Sequence, residues 1–231
     1  MKTNYDAKLQ LLLKELEKEI QSHPQEKRKS LLLHACCGPC SSYVIEYISN
    51  FFDITILYYN PNIYPESEYN RRLLEIQNFL PRFKPAVENK IKFLNLEYNP
   101  QEFYDAIKIK ENPELAHESE KGERCRRCYE LRLRKAYTFA LENGFDYFCT
   151  TLSISPFKDA QKINVIGESL CKENASGPQW LYSDFKKNSG FLRSLELSKE
   201  YGLYRQQYCG CVYSAASREQ SDSNEKQNCS N

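Results

Sequence analysis

Leu9, Leu12, Leu13, Leu16 and Ile20 recur at helical spacing with charges between them, so the first twenty residues read as an amphipathic helix. The polar stretch QSHPQEKRKS follows, which makes 1–29 a helical appendage docked on a main domain. Residues 31–35 form a short apolar run that stops at CCGPC, the pattern of a buried strand. Pro39 suits the first turn of a helix whose apolar positions are Val44, Ile45 and Ile48. A strand over 54–59 follows, then a helix over 66–80 through Tyr69, Leu73, Ile76 and Leu80, then a strand over 91–96. A short helix near 101–110 precedes a longer one over 125–142, which Asn143-Gly144 stops. A fourth strand at 147–152 and a helix over 159–170 complete the series. This alternation predicts an α/β fold with a parallel sheet flanked by helices, in a single catalytic domain over 30–214. The segment 215–231 is nearly devoid of apolar residues and is expected to be a disordered polar tail.

A length of 231 residues agrees with one domain. The 32 Lys+Arg balance 31 Asp+Glu, so net charge selects no nucleic-acid partner and any phosphate contact must come from local clustering. No run approaches the roughly 18 apolar residues of a membrane span, and the charged N-terminus lacks a signal-peptide cleavage pattern. These features predict a cytoplasmic protein. In a reducing cytosol its ten cysteines would serve metals or redox chemistry before structural bridges.

Seven of the ten fall in three tight groups: Cys36-Cys37-Gly-Pro-Cys40, Cys125-Arg-Arg-Cys128 and Cys209-Gly-Cys211. Cys149, Cys171 and Cys229 are singletons. The first group sits where a strand gives way to a helix, where ligands bind in open parallel sheets and where a helix N-terminus favours thiolates. Cys125 and Cys128, at i and i+3, share a helix face. Two thiolates from each group make a four-thiolate set, which suits zinc or an iron–sulfur cluster; a pair of buried thiols is the plainer alternative. A Cys209–Cys211 bridge would close a small, strained and therefore labile ring, and a second metal pair is the competing reading. Cys40 is left over from the four-thiolate count.

The segment KGERCRRCYELRLRK, 121–135, holds seven basic residues against two glutamates and carries a local net charge of +5. Such a patch reads either as a phosphate-backbone footprint or as a solvated helix face. Tyr64 and Tyr69 are candidates to stack an unpaired base. Thr150, Thr151, Ser153, Ser155 and Lys158 put hydroxyls and an ammonium at the end of the fourth strand. His34 beside the cysteines reads as a satisfied core histidine.

Taken in order, LLLHACCGPCSS, YYNPNIYPESEYNRR, CRRCYELRLRKA, TTLSISPFKDAQKI and YRQQYCGCVYS resemble the QueH family of epoxyqueuosine reductases over about 30–214. The resemblance implies an adenine-nucleotide α-hydrolase-like sheet and reduction of epoxyqueuosine to queuosine at the wobble position of tRNA, the last step of queuosine biosynthesis. It implies a [4Fe-4S] cluster on Cys36, Cys37, Cys125 and Cys128, with Cys209 and Cys211 as a redox-active pair. An additional iron at Cys40, Cys209 and Cys211 is left open, as is the electron donor. The implied partner is a tRNA anticodon loop. A tRNA sulfur-transfer or thiolation enzyme is one alternative, set back because CCGPC stands where an ATP-pyrophosphate loop needs glycine and serine. A zinc-stabilised RNA-binding module is another, and it leaves Cys209 and Cys211 unexplained.

Overall fold

The chain was analysed as a computed structural model, which describes residues 3–216. The apolar run after Ser30 forms β1, Ser30–Ala35, buried on both faces because helices cover the sheet from each side. Around it lie β2 (Asp53–Tyr58), β3 (Lys92–Asn95), β4 (Tyr147–Thr150) and β5 (Gln179–Trp180), all parallel, in the order β3-β2-β1-β4-β5. Alternation along β1 divides the core. Leu31, Leu33 and Ala35 join one apolar cluster, and Leu32 joins the other.

On the first face pack α1 (Tyr5–Ser22), α2 (Gly38–Ile48), α3 (Glu66–Phe79) and α8 (Gly190–Glu200); the short α4 (Lys84–Glu88) adds Ala86 to the same cluster. Leu9, Leu13 and Leu16 of α1 are buried there against strand residues, as their spacing foretold. On the second face α6 (Glu123–Glu142) and α7 (Ala160–Cys171) carry Leu133, Ala136, Ala140, Ile163, Ile166 and Leu170 inward. Between β3 and α6 lies α5, Pro100–Ile107, which contributes Phe103 and Ile107 to a third, smaller cluster.

Element boundaries fall within about three residues of expectation, except where local geometry ends a run early. The fourth strand stops at Thr150 because Thr151–Ile154 turn into a 3₁₀ segment, capped by the Thr150 hydroxyl accepting from the Leu152 amide. Sequence reading supplied neither β5 nor α8. β5 is two residues long, and α8 turns Gly190, Ser194 and Ser198 inward beside Leu197, so its buried face lacks an apolar period. Of the expected disordered tail over 215–231, Ala215 and Ala216 are helical, and the rest, with Cys229, lies outside the described residues. No helix among the described residues is long and apolar enough to cross a membrane.

Candidate active site

The order of the sheet reverses between β1 and β4, and a crevice opens there beyond the strand carboxyl ends. Cys36 follows β1 directly. Cys37 is the N-cap of α2, and its Sγ accepts a hydrogen bond from the Cys40 amide at 3.3 Å. N-capping seats the residue three positions on beside the cap. Cys40 is therefore brought in, although spacing left it over: the sulfurs of Cys36, Cys37 and Cys40 all lie within 4.8 Å of one another. The Thr151 hydroxyl sits 3.5 Å from the Cys36 sulfur and accepts from the Cys36 amide at 3.4 Å, so a hydroxyl after β4 does cradle the group.

Cys125 and Cys128 are carried by α6, and the Cys209–Cys211 turn, beyond α8, packs beside them. Cys125 packs partly buried against the cluster that contains Cys36 and Cys37, while Cys128 is buried with Cys211, Phe103 and Ile107. Cys209 acts electrostatically on both Cys125 and Cys128. Thus Cys36, Cys37 and Cys40 are brought together at the sulfurs, Cys125, Cys128, Cys209 and Cys211 lie within electrostatic reach of one another, and all seven are free thiols. Cys149 is enclosed in the core with its thiol toward the Leu181 carbonyl, 3.3 Å away, and Cys171 donates to the Pro178 carbonyl.

The thiols do not ionise alike. Hydrogen bonds from Cys37 and Cys40 hold Cys36 well below the usual thiol range. Burial pushes Cys37 up to about 12, and Cys40 rises as its thiol serves Cys36 and Cys37. Burial likewise lifts Cys128 to about 12 and Cys211 further. Within the first group Cys36 is the most acidic thiol.

Two buried cations face these sulfurs. Burial opposes the charge of Lys158, yet Cys209, Cys36 and Cys40 outweigh it and keep the ammonium protonated. Arg132, 2% exposed, is held charged against burial by Cys128, Cys36 and Cys209, and donates to the Asn60 side chain. Among the described residues neither forms an ion pair with a carboxylate. His34, by contrast, is neutral: burial and Arg132 lower its pKa to about 3. Its Nε2 lies 3.0 Å from the Tyr59 carbonyl and 3.3 Å from Arg132 Nε, and its Nδ1 lies 2.7 Å from the Thr150 hydroxyl. It is the satisfied core histidine that its position suggested.

The basic segment reads differently in place. Arg124 is buried and spends its guanidinium on the Leu115 and Ala116 carbonyls. Arg126 binds Glu123 and Glu130 at 2.7 Å each, Arg127 binds Glu123 at 3.0 Å, and Arg134 forms a fork with Glu173 at 2.9 Å. Arg132 faces the sulfurs. Arg124 and Arg132 are thus withdrawn from any phosphate footprint, whereas Arg126 and Arg134 keep 38% and 48% of their side chains exposed. Tyr69 is also corrected, being buried and stacked on Tyr98 at 4.1 Å, whereas Tyr64 remains 50% exposed.

Two site residues escaped sequence reading. Gln206 donates to the Cys37 sulfur at 3.2 Å, and Arg72 of α3 donates to the Cys209 carbonyl at 3.2 Å. Both lie inside the stretches YRQQYCGCVYS and YYNPNIYPESEYNRR, where the paired Arg71-Arg72 looks like an exposed helix face.

The fold and the site define a parallel α/β protein with a thiol-rich, cation-backed centre at the switch point of its sheet. A family model described as epoxyqueuosine reductase QueH matches residues 31–217, and the chain belongs to that family. Among similar proteins, the epoxyqueuosine reductase QueH of Streptococcus pyogenes is 44% identical over 214 residues, covering 93% of this chain and 79% of that protein. That of Staphylococcus epidermidis is 39% identical over 214 residues (93% and 85%), and that of Thermotoga maritima 32% over 192 residues (82% and 92%). A solved structure of the U34-tRNA thiolase NcsA from Methanococcus maripaludis with its [4Fe-4S] cluster aligns at a TM-score of 0.41 and 10% identity, covering 94% of this chain and 75% of that one.

Proposed function

We propose that the sulfur centre reduces epoxyqueuosine to queuosine within a tRNA anticodon loop, using a [4Fe-4S] cluster held by Cys36, Cys37, Cys125 and Cys128. Epoxyqueuosine reduction in queuosine biosynthesis is the activity of the family, and it is an oxidoreduction. Converting the epoxide to an alkene with loss of water takes two electrons and two protons. The observation that supports an anionic cluster is the pair of buried cations, Lys158 and Arg132, whose charges are held by sulfur. Four thiolates around a dicationic [4Fe-4S] core would leave a net dianion, the charge that two buried cations answer. The donor set fits the group: soft sulfur ligands, free of disulfides, in an apolar surround.

When bound, such a cluster supplies electrons one at a time at low potential. The chain's own residues do the remaining work. Lys158 and Arg132 provide fixed positive charge beside the sulfurs. The Thr151 hydroxyl orients Cys36, and the neutral His34 joins β1 to β4 behind it. Cys209 and Cys211, carried by a turn across the crevice, are the second redox element in this reading. Loop nucleotides are already unpaired, so bringing a base to the sulfurs costs less than flipping one from a duplex.

The test is anaerobic purification of the full chain with iron and sulfide assays, followed by turnover of epoxyqueuosine-tRNA under a low-potential reductant. A brown protein with about four irons that forms queuosine-tRNA is expected. A colourless zinc protein without turnover refutes the reading.

A further inference from the structure

Arg72 is 2% exposed, yet each of its nitrogens meets a different environment. Nε donates to Glu68 at 2.7 Å, one helical turn back on α3. Nη1 donates to the Cys209 carbonyl at 3.2 Å. Nη2 is buried and has no hydrogen-bond partner. The guanidinium also lies 5.3 Å over the Tyr208 ring. Gly210 completes the fit. Its φ is +123°, and a Cβ there would stand 3.0 Å from Nη1 and 3.2 Å from Ile63, so no side chain separates this turn from Arg72.

Other bonds hold the same turn. The Tyr64 amide donates to the Gly210 carbonyl at 2.7 Å, and the Tyr208 hydroxyl to the Tyr64 carbonyl at 2.6 Å. Gln206 runs from the turn's approach to the Cys37 sulfur. The charge of Arg72 is kept by Cys37, Glu68 and Cys36 against the opposing pull of burial. A buried ion pair adds little to stability over an apolar pair of similar volume, so the bond to the Cys209 carbonyl is the contact to test.

We infer that Arg72, anchored by Glu68, is a positioning residue that holds the Cys209-Gly210-Cys211 turn against the Cys36-Cys37 turn, so that the two sulfur groups face each other at fixed separation. This rests on the functional reading only in assigning the turn a part in turnover; the clamp itself is a statement about geometry. A lysine retains the charge but cannot bond Glu68 and the Cys209 carbonyl together in one planar fork.

The experiment is per-cysteine alkylation of the anaerobically purified full chain by N-ethylmaleimide, read by mass spectrometry, for wild type, Arg72→Met, Arg72→Lys and Glu68→Gln. Cys149 serves as the internal measure of folding. In Arg72→Met, Cys209 and Cys211 should label on the order of 10-fold faster as the turn opens locally, with Cys149 as protected as in wild type. Arg72→Lys should recover part of that protection. In turnover, kcat should fall about 10-fold or more with KM within about twofold, the mark of lost alignment and not lost binding. Unchanged Cys209 and Cys211 labelling with Cys149 protected overturns the inference. If Arg72→Met exposes Cys149, Glu68→Gln decides: faster labelling confined to the turn supports the clamp, and wild-type rates refute it. Faster labelling with undiminished turnover upholds the clamp and removes the Cys209–Cys211 pair from the reaction.

Discussion

The two ends of the sheet balance buried charge in opposite ways. At the amino ends a cleft of about 580 Å³ is lined by Arg28, Asp53, Glu88, Asn89 and Lys92, among others. There Arg28 meets the Asp53 carboxylate at 3.1 Å, the Ser49 carbonyl at 2.9 Å and the Asn89 side chain at 2.9 Å. Its charge is answered entirely within the protein. At the carboxyl ends Lys158 and Arg132 face sulfur, and the compensating charge depends on what those sulfurs carry. The amino-end cleft is thus the chemically finished one. The proposed chemistry lies at the other end, where the buried cations face thiols.

The sharpest way to break this contrast is to remove a sulfur. Cys128→Ala should cut iron and sulfide content severely and lower turnover by at least about 100-fold, since a cluster with three ligands is readily lost. Inductively coupled plasma analysis and the tRNA assay measure both. Full iron and full turnover would show that Cys128 is a packing residue beside Phe103 and Ile107 and no ligand.

Next in size is the charge behind the sulfurs. Lys158→Met should make the cluster harder to reduce, shifting its midpoint potential downward by on the order of 100 mV, the scale of one unit charge a few ångströms away at an effective dielectric of about 20. Lys158→Arg should restore most of the shift. A redox titration followed by electron paramagnetic resonance reads this directly, and an unmoved potential would separate Lys158 from the redox centre.

Much of this centre was legible in the sequence, for identifiable reasons. β1 and β2 are apolar runs buried on both faces, so composition alone marks them. The cysteine groups were visible as spacing, and their shared location followed from the strand-to-helix turn at CCGPC. Cys40 was left open because spacing says nothing of capping geometry, which folds the third residue of the helix back onto its cap. The arginines of α6 were read as outward although Glu123 precedes Arg126 and Arg127 by three and four positions, and Glu130 precedes Arg134 by four. That ladder was available as a signal for internal pairing. Arg72 was beyond reach: its partner, the Cys209 carbonyl, lies 137 residues away and is a backbone atom.

At the finished end the effects should be confined to stability. Arg28→Ala removes a partly buried cation with three partners and should cost about 1–2 kcal/mol in denaturant unfolding, while turnover per folded molecule is unchanged. A loss of turnover in the soluble, folded variant would mean that the amino-end cleft takes part in function, and the division between the two ends would fail.

The smallest effect, and the one that tests charge closure at this end by pH, concerns Asp146 at the approach to β4. One of its carboxylate oxygens accepts from both the amide and the hydroxyl of Ser30 at 2.7 Å, and its own amide donates back to that hydroxyl at 3.0 Å. This reciprocal lock joins the starts of β1 and β4 across 116 residues of chain. Burial works against the carboxylate, but the Ser30 bonds win and its pKa is lowered. A carboxyl lowered in the folded state stabilises the protein above its unfolded pKa, near 3.9, and loses that contribution as pH falls through the folded value. Asp146→Asn should therefore be less stable than wild type at pH 7, by less than about 1 kcal/mol given the exposed setting. The gap should narrow as pH falls below about 4. Urea midpoints of the two proteins at pH 7 and pH 3 make the comparison. A gap that stays constant with pH would assign the Ser30 lock to hydrogen bonding without charge, whereas a gap that closes ties it to the ionised carboxylate, the kind of internal compensation that the sulfur end lacks.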